Sequence, residues 1–217
     1  MKRQFAVIGC GRFGASLART LYALGQEVMV VDRSEERIQS ISDFVTYAVQ
    51  ADATDEKTLK SLGIRNFDTA VISIGSDIQS SIMATLMTKE LGVKYVLCKA
   101  QNEMQAKVLY KIGADKVVFP ERDMGVKVAH NLVSQNVLEY IELSPDFSIV
   151  EIVAPRKWVG KTMKDLDLRA KLGINVMAVK HPYGITISPP ADKVLNGDDI
   201  LVVVGRSDVI NKIEAME

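Results

Sequence analysis

Through the first 120 residues, short apolar runs alternate with stretches whose apolar residues recur every three or four positions. The runs at 5–9, 28–32, 45–50, 69–74, 95–99 and 116–119 are rich in Val and Ile. That is the composition of strands buried on both faces of a parallel sheet. The stretches between them, at 11–24, 34–42, 55–62, 77–91 and 103–112, carry helical spacing. Gly25, Gly63, Gly92 and Gly113 each follow a helix, where a left-handed residue ends it. Ser34 and Thr54 stand where a side-chain oxygen caps the next helix. Six β-α steps in this order predict an α/β fold, a Rossmann-type doubly wound parallel sheet.

The texture changes after Pro120, which ends the sixth strand, and a helical stretch at 123–135. Strand-like runs at 137–143 and 147–153 flank the turn Ser144-Pro145-Asp146. A helix at 163–172, with Thr162 as its cap, precedes short strands at 175–180, 184–188 and 200–205. Pro182-Tyr183-Gly184 reads as a hairpin turn, and a helix at 207–216 closes the chain. The expected organisation is a nucleotide-binding unit over 1–135 and a small α+β unit over 136–217. A unit that small is marginal alone and gains from pairing with a second copy.

Composition narrows the function. Apolar residues make up 47% of the chain, which excludes a disordered protein. The 27 basic and 27 acidic residues cancel, whereas a nucleic-acid binder carries excess Lys and Arg. Two cysteines without a CxxC and two histidines supply neither a disulfide framework nor a zinc site. No apolar run approaches the roughly 18 residues of a membrane span. The chain enters its first strand pattern at once, without a signal-peptide segment. A cytoplasmic location is expected, with any membrane role exerted through a partner.

Candidate chemistry gathers at Gly9-Cys10-Gly11-Arg12-Phe13-Gly14. This GxGxxG follows a buried strand, opens a helix and precedes a second strand that ends in Asp32, which together form a dinucleotide-binding fingerprint. Gly9 makes the turn, Gly11 lets a phosphate approach the backbone, and Gly14 lets the helix pack on the sheet. Free N–H groups at the helix start meet the negative charge, and Asp32 accepts from ribose hydroxyls. A 2′-phosphate is disfavoured beside Asp32, an exclusion that neighbouring Arg33 blurs. Arg12 is either a bidentate phosphate ligand or a solvated helix arginine. Open α/β sheets bind ligands at their strand ends, which adds Asp52-Ala53-Thr54, Ile74-Gly75-Ser76 and Lys99. Glu121 is either a cation ligand near phosphates or an ordinary carboxylate at a helix start. These residues indicate an adenosine-plus-phosphates site without separating NAD from ATP or ADP.

A dehydrogenase also needs a base beside the nicotinamide. His130 lies in a helical pattern and His181 beside a hairpin. Tyr95 and Lys99 have Y-x-x-x-K spacing, but on a strand this separates their Cα atoms by about 13 Å. Cys10 and Cys98 read better as buried thiols than as redox sensors. An NAD-dependent oxidoreductase therefore remains only as the alternative. A redox-sensing DNA-binding repressor carries a winged-helix unit with a basic face, whereas the second unit here shows mostly strands and mixed charges.

The segments Gln4 to Gly14, Asp52-Ala53-Thr54, Gly63-Ile64-Arg65-Asn66-Phe67-Asp68 and Ile112-Gly113-Ala114-Asp115 resemble the RCK (TrkA-type) regulatory subunits of bacterial Ktr/Trk potassium transporters, and within them the KtrA-type branch. The resemblance covers the whole chain, as a TrkA-N-like unit and then a TrkA-C-like unit. It implies a non-enzymatic gating-ring subunit, a homo-octamer beneath a KtrB-like membrane subunit that conducts potassium. It implies ATP or ADP in the N-terminal site, with NAD or NADH as further ligands. The matching positions are Arg12 for phosphates, Asp32 for ribose, Asp52 and Ala53 around adenosine, Ile74 to Ser76, and Lys99, Ala100 and Gln101. Glu121 matches a carboxylate that gathers a divalent or sodium cation. Arg169 and Asn175 match polar contacts to cyclic di-AMP in the C-terminal unit. Asp52 and Cys10 depart from the asparagine and leucine of some relatives.

Overall fold

The computed structural model describes residues 2–75, 77–133 and 137–214. Its contacts divide the chain into Met1–Arg122 and Asp123–Glu217. The boundary expected at 135/136 falls outside the described residues.

The first unit runs β1 (Gln4–Ile8), α1 (Arg12–Ala23), β2 (Glu27–Asp32), α2 (Glu35–Ile41), β3 (Tyr47–Gln50), α3 (Glu56–Ser61), β4 (Thr69–Ile72), α4 (Ile78–Glu90), β5 (Tyr95–Lys99), α5 (Glu103–Lys111) and β6 (Lys116–Val118). The strands form one sheet in the order β3-β2-β1-β4-β5-β6, with every pair parallel. The continuous apolar runs have a plain cause. Side chains alternate across a strand, so Ala6 and Ile8 of β1 enter one core while Val7 enters the other. Strand order reverses between β1 and β4, and the crevice at such a switch point is where doubly wound sheets take ligands.

Helix ends follow local chemistry. Gly25, Gly63, Gly92 and Gly113 all have positive φ, and Ser34 Oγ accepts from Arg37 N at 3.4 Å to cap α2. Thr54 does not cap α3. Asp55 does so, accepting from Lys57 N and Thr58 N, while the Thr54 hydroxyl is bound to Asp52 at 2.6 Å. The third strand begins at Tyr47, two residues later than expected, after a 3-10 turn over residues 42–44. Pro120 opens α6 (Pro120–Val133) instead of merely ending β6. Its fixed φ and missing N–H suit a first helical position.

The second unit contains β7 (Val137–Ser144), β8 (Phe147–Val153), α7 (Met163–Leu166), α8 (Leu168–Leu172), β9 (Asn175–His181), β10 (Gly184–Ile187), β11 (Ile200–Arg206) and α9 (Ser207–Glu214). Its five strands pair antiparallel in the order β10-β9-β11-β8-β7. Val150, Ile152, Leu201, Val203, Ile210 and Ile213 build its core with Trp158. The helix expected over 163–172 is two short helices. Asp167 separates them with φ +43°, a left-handed conformation that ends one helix and starts the next. Thr162 does cap α7, in a reciprocal arrangement with Asp165. No helix among the described residues is long and apolar enough to cross a membrane.

Candidate functional site

Two adjoining cavities open at the carboxyl ends of β1, β2, β3 and β4 in the first unit. One, of about 280 Å³, is lined by Asp32, Arg33, Asp52, Ala53 and Thr54, together with Ser34, Asp77 and Ser80. The other, of about 250 Å³, is lined by Gly11, Arg12, Phe13, Gly75, Lys99 and Glu121. Gly9, Asp32, Arg37 and Ile74 line both and so join them into one crevice.

The glycine turn shapes the junction. Gly9 takes φ +98°, and its N–H donates to Val31 O at 2.7 Å. The Ser73 hydroxyl donates to Gly9 O at 2.5 Å and locks the turn against the end of β4. Gly14 lines neither cavity. A Cβ there would overlap the Gly9 carbonyl and the Ser73 hydroxyl, so its role is close packing. At Gly11 a Cβ would meet no protein atom within 4 Å, leaving open space in front of α1. No side chain caps α1, and its first turn holds no acidic residue. Its first N–H groups therefore stay available to an anion.

Asp32 is held rigidly, its side chain only 10% exposed. Its carboxylate accepts from Cys10 N at 2.6 Å and Ser34 N at 2.8 Å, and Arg37 stands 3.5 Å away. Arg33 reaches across the first cavity to Asp52 at 2.8 Å and Thr54 Oγ1 at 2.9 Å. Desolvation opposes ionisation of Asp52, but hydrogen bonds from Thr54 and Arg33 outweigh it and hold the carboxyl below its usual range.

The second cavity is cationic. Arg12 is exposed and has no hydrogen bond or ion pair among the described residues. Lys99, only 12% exposed, binds Glu121 at 2.5 Å. The hydrogen bond from Lys99, reinforced by the Arg12 charge, holds the Glu121 carboxyl below its usual range. Among the described residues no cluster of three or more His, Cys, Asp or Glu is placed to hold a metal ion. A lone carboxylate fits magnesium only where phosphate oxygens join it, since that ion takes one or two carboxylates plus phosphate oxygens.

Two further expected residues of the first unit line neither cavity. Ala100 is buried in the core. Gln101 lines neither cavity and donates to Gly75 O. Ser76 lies outside the described residues. Arg169 on α8 and Asn175 on β9 are exposed in the second unit. The sequence reading missed Arg37, Asp77 and Ser80. Arg37 follows the Ser34 cap by three residues, one helical turn, which was the available signal.

No His, Tyr or Cys lines the crevice among the described residues. Both cysteines are buried. Burial raises the Cys10 thiol, with Asp32 adding to the effect. Burial pushes Cys98 up to about 11, which leaves roughly one thiol in ten thousand ionised at pH 7. Iodoacetamide is expected to leave Cys98 unlabelled in the native protein and to modify it in guanidinium. Native labelling within minutes would contradict this.

Comparison with known proteins follows the same two units. The TrkA-N domain matches residues 5–120, and the TrkA-C domain matches residues 147–216. The chain is 50% identical over 214 residues to Ktr system potassium uptake protein C of Bacillus subtilis (strain 168), covering 99% of this chain and 97% of that one. It is 46% identical over 212 residues to Ktr system potassium uptake protein A of the same organism, covering 98% and 96%. A solved GsuK channel bound to NAD superposes with a TM-score of 0.67 at 17% identity. That match covers all of this chain and 39% of the channel chain, and it is a likeness of fold.

Proposed function

We propose, for a chain that belongs to the TrkA (RCK) family and is a regulatory subunit of Ktr potassium uptake, that its crevice binds ATP or ADP and that the bound phosphate tail sets the shape of a ring of subunits. The observation that carries this reading is the division of one crevice into two halves of different chemistry. Asp32 offers a fixed acceptor to a ribose in one half, and Arg12 and Lys99 offer cations to phosphates in the other. The glycine turn between them leaves room for a diphosphate at Gly11.

ATP and ADP differ only beyond the second phosphate, so a response to their exchange must come from groups that reach the third. A ligand shifts a conformational equilibrium only by its differential affinity for the two states. Typical couplings of 1–3 kcal/mol change occupancy about 5–150-fold. Arg12 and the Lys99–Glu121 pair are the available contacts. The ring is a homo-octamer of this chain docked on a KtrB-like membrane subunit at the cytoplasmic face, and it acts on transport without chemical turnover. In the second unit, Arg169 and Asn175 offer a guanidinium and an amide to cyclic di-AMP. NAD or NADH is the second reading for the crevice. It shares the adenosine half, and the GsuK channel of the same fold is bound to NAD.

Glu121 is the group that would hold a cation against the phosphates, which requires Lys99 to release it. Equilibrium binding of ATP, ADP and NADH, each with and without magnesium, tests this reading. Magnesium is expected to tighten ATP roughly tenfold on the wild-type protein and to leave ATP affinity unchanged on Glu121→Gln. Equal tightening on both proteins would remove Glu121 from the cation site. Failure of every nucleotide to bind would defeat the reading as a whole.

A further inference from the structure

Both guanidinium groups that line the adenosine cavity are engaged, and by different carboxylates. Arg37 faces Asp32 at 3.5 Å, whereas Arg33 turns away from its chain neighbour to Asp52 at 2.8 Å and Thr54 Oγ1 at 2.9 Å. Ser80 Oγ, at 3.5 Å, completes the set around Arg33.

We infer that Asp52 sets the ribose specificity of this cavity by holding Arg33 away from Asp32, so that the site takes adenine nucleotides with a free 2′-hydroxyl and rejects their 2′-phosphorylated counterparts. Asp52 is then a positioning residue that acts through Arg33. The inference rests on the adenine-nucleotide reading of the crevice.

A 2′-phosphate brings a charge approaching −2 and needs a guanidinium fork to compensate it. The carboxylate of Asp32 is fixed by two backbone N–H groups and cannot swing clear. Arg37 already balances it. Arg33 is therefore the cation at the end of β2 that could receive such a phosphate, and Asp52 holds it elsewhere. The remaining charged group of this cavity is Asp77, whose carboxylate caps α4 by accepting from Ser80 N at 3.0 Å and Ser80 Oγ at 2.5 Å. It competes for Arg33 once Asp52 is neutralised, and its hydrogen bonds to Ser80 weaken that competition.

The test compares ADP with 2′-phospho-ADP by equilibrium binding and takes the ratio of affinities within each protein, so that a general loss cancels. The wild-type protein is expected to prefer ADP at least about tenfold. Asp52→Asn is expected to narrow that preference by about tenfold or more as Arg33 swings to the 2′-phosphate. Asp52→Asn combined with Arg33→Ala is expected to restore the wild-type ratio. Arg33→Ala alone is expected to leave the ratio unchanged, which keeps a readout if the Asp52 variant fails to fold. An unchanged ratio in Asp52→Asn, a narrowing that survives loss of Arg33, or a shift in Arg33→Ala alone would each overturn the inference. Absence of ADP binding to the wild-type protein would instead overturn the reading beneath it, and the inference with it.

Discussion

Alanine at Gly14 is expected to break the packing of α1 on the sheet, whereas alanine at Gly11 is expected to leave the fold intact and remove nucleotide binding. The two positions lie three residues apart in one motif, and their surroundings are opposite. At Gly14 the added carbon overlaps the Gly9 carbonyl and the Ser73 hydroxyl. Neither can retreat, because Gly9 is held by Val31 and Ser73 donates to Gly9 itself. Overpacking against fixed backbone costs about 3 kcal/mol or more, which corresponds to a fall in melting temperature of roughly 10 °C. At Gly11 the added carbon meets nothing within 4 Å, and φ −73° suits any L-residue. The methyl group would instead fill the space a diphosphate needs, weakening ADP at least about tenfold at unchanged melting temperature. Thermal unfolding and ADP titration of both variants check the pair. A stable Gly14→Ala, or a Gly11→Ala that binds ADP normally, would contradict it.

Arg12→Ala is expected to separate the two nucleotides. The guanidinium is exposed at the second cavity and has no hydrogen bond or ion pair among the described residues, so its removal leaves no buried partner stranded. A hydrogen bond between charged groups contributes about 1.5–3 kcal/mol, and its loss would weaken ATP roughly 10–150-fold. ADP affinity is expected to stay within a few-fold, and ATP-dependent stimulation of potassium flux to fall with ATP binding. Equal losses for ATP and ADP would assign Arg12 to the diphosphate and leave the third phosphate without its reader.

Much of the first unit was legible because its signals are local. Val and Ile runs marked strands, and glycines with positive φ marked helix ends. GxGxxG with Asp32 marked the turn that lines the crevice without any knowledge of sheet order. What the sequence hid depends on contacts distant along the chain or on competition between neighbours. Thr54 looked like a helix cap, but Asp52 captures its hydroxyl and Asp55 caps instead. Lys99 and Glu121 were separate candidates until parallel pairing of β5 with β6 brought them together. Arg33 blurred the exclusion of a 2′-phosphate, because its engagement with Asp52 spans the ends of two strands and is invisible along the chain. In the second unit, continuous helical spacing concealed the break at Asp167, since nothing in apolar periodicity reports a single left-handed residue.

An adenine nucleotide is expected to occupy the crevice at the end of β1, with ATP displacing ADP there without being consumed. Calorimetric titration of ATP into the ADP-loaded protein, with the nucleotides recovered and identified afterwards, tests it most directly. The expected result is displacement of ADP by ATP at one site per chain, with the ATP recovered intact. Independent binding of both nucleotides, no binding of either, or steady conversion of ATP to ADP would contradict it.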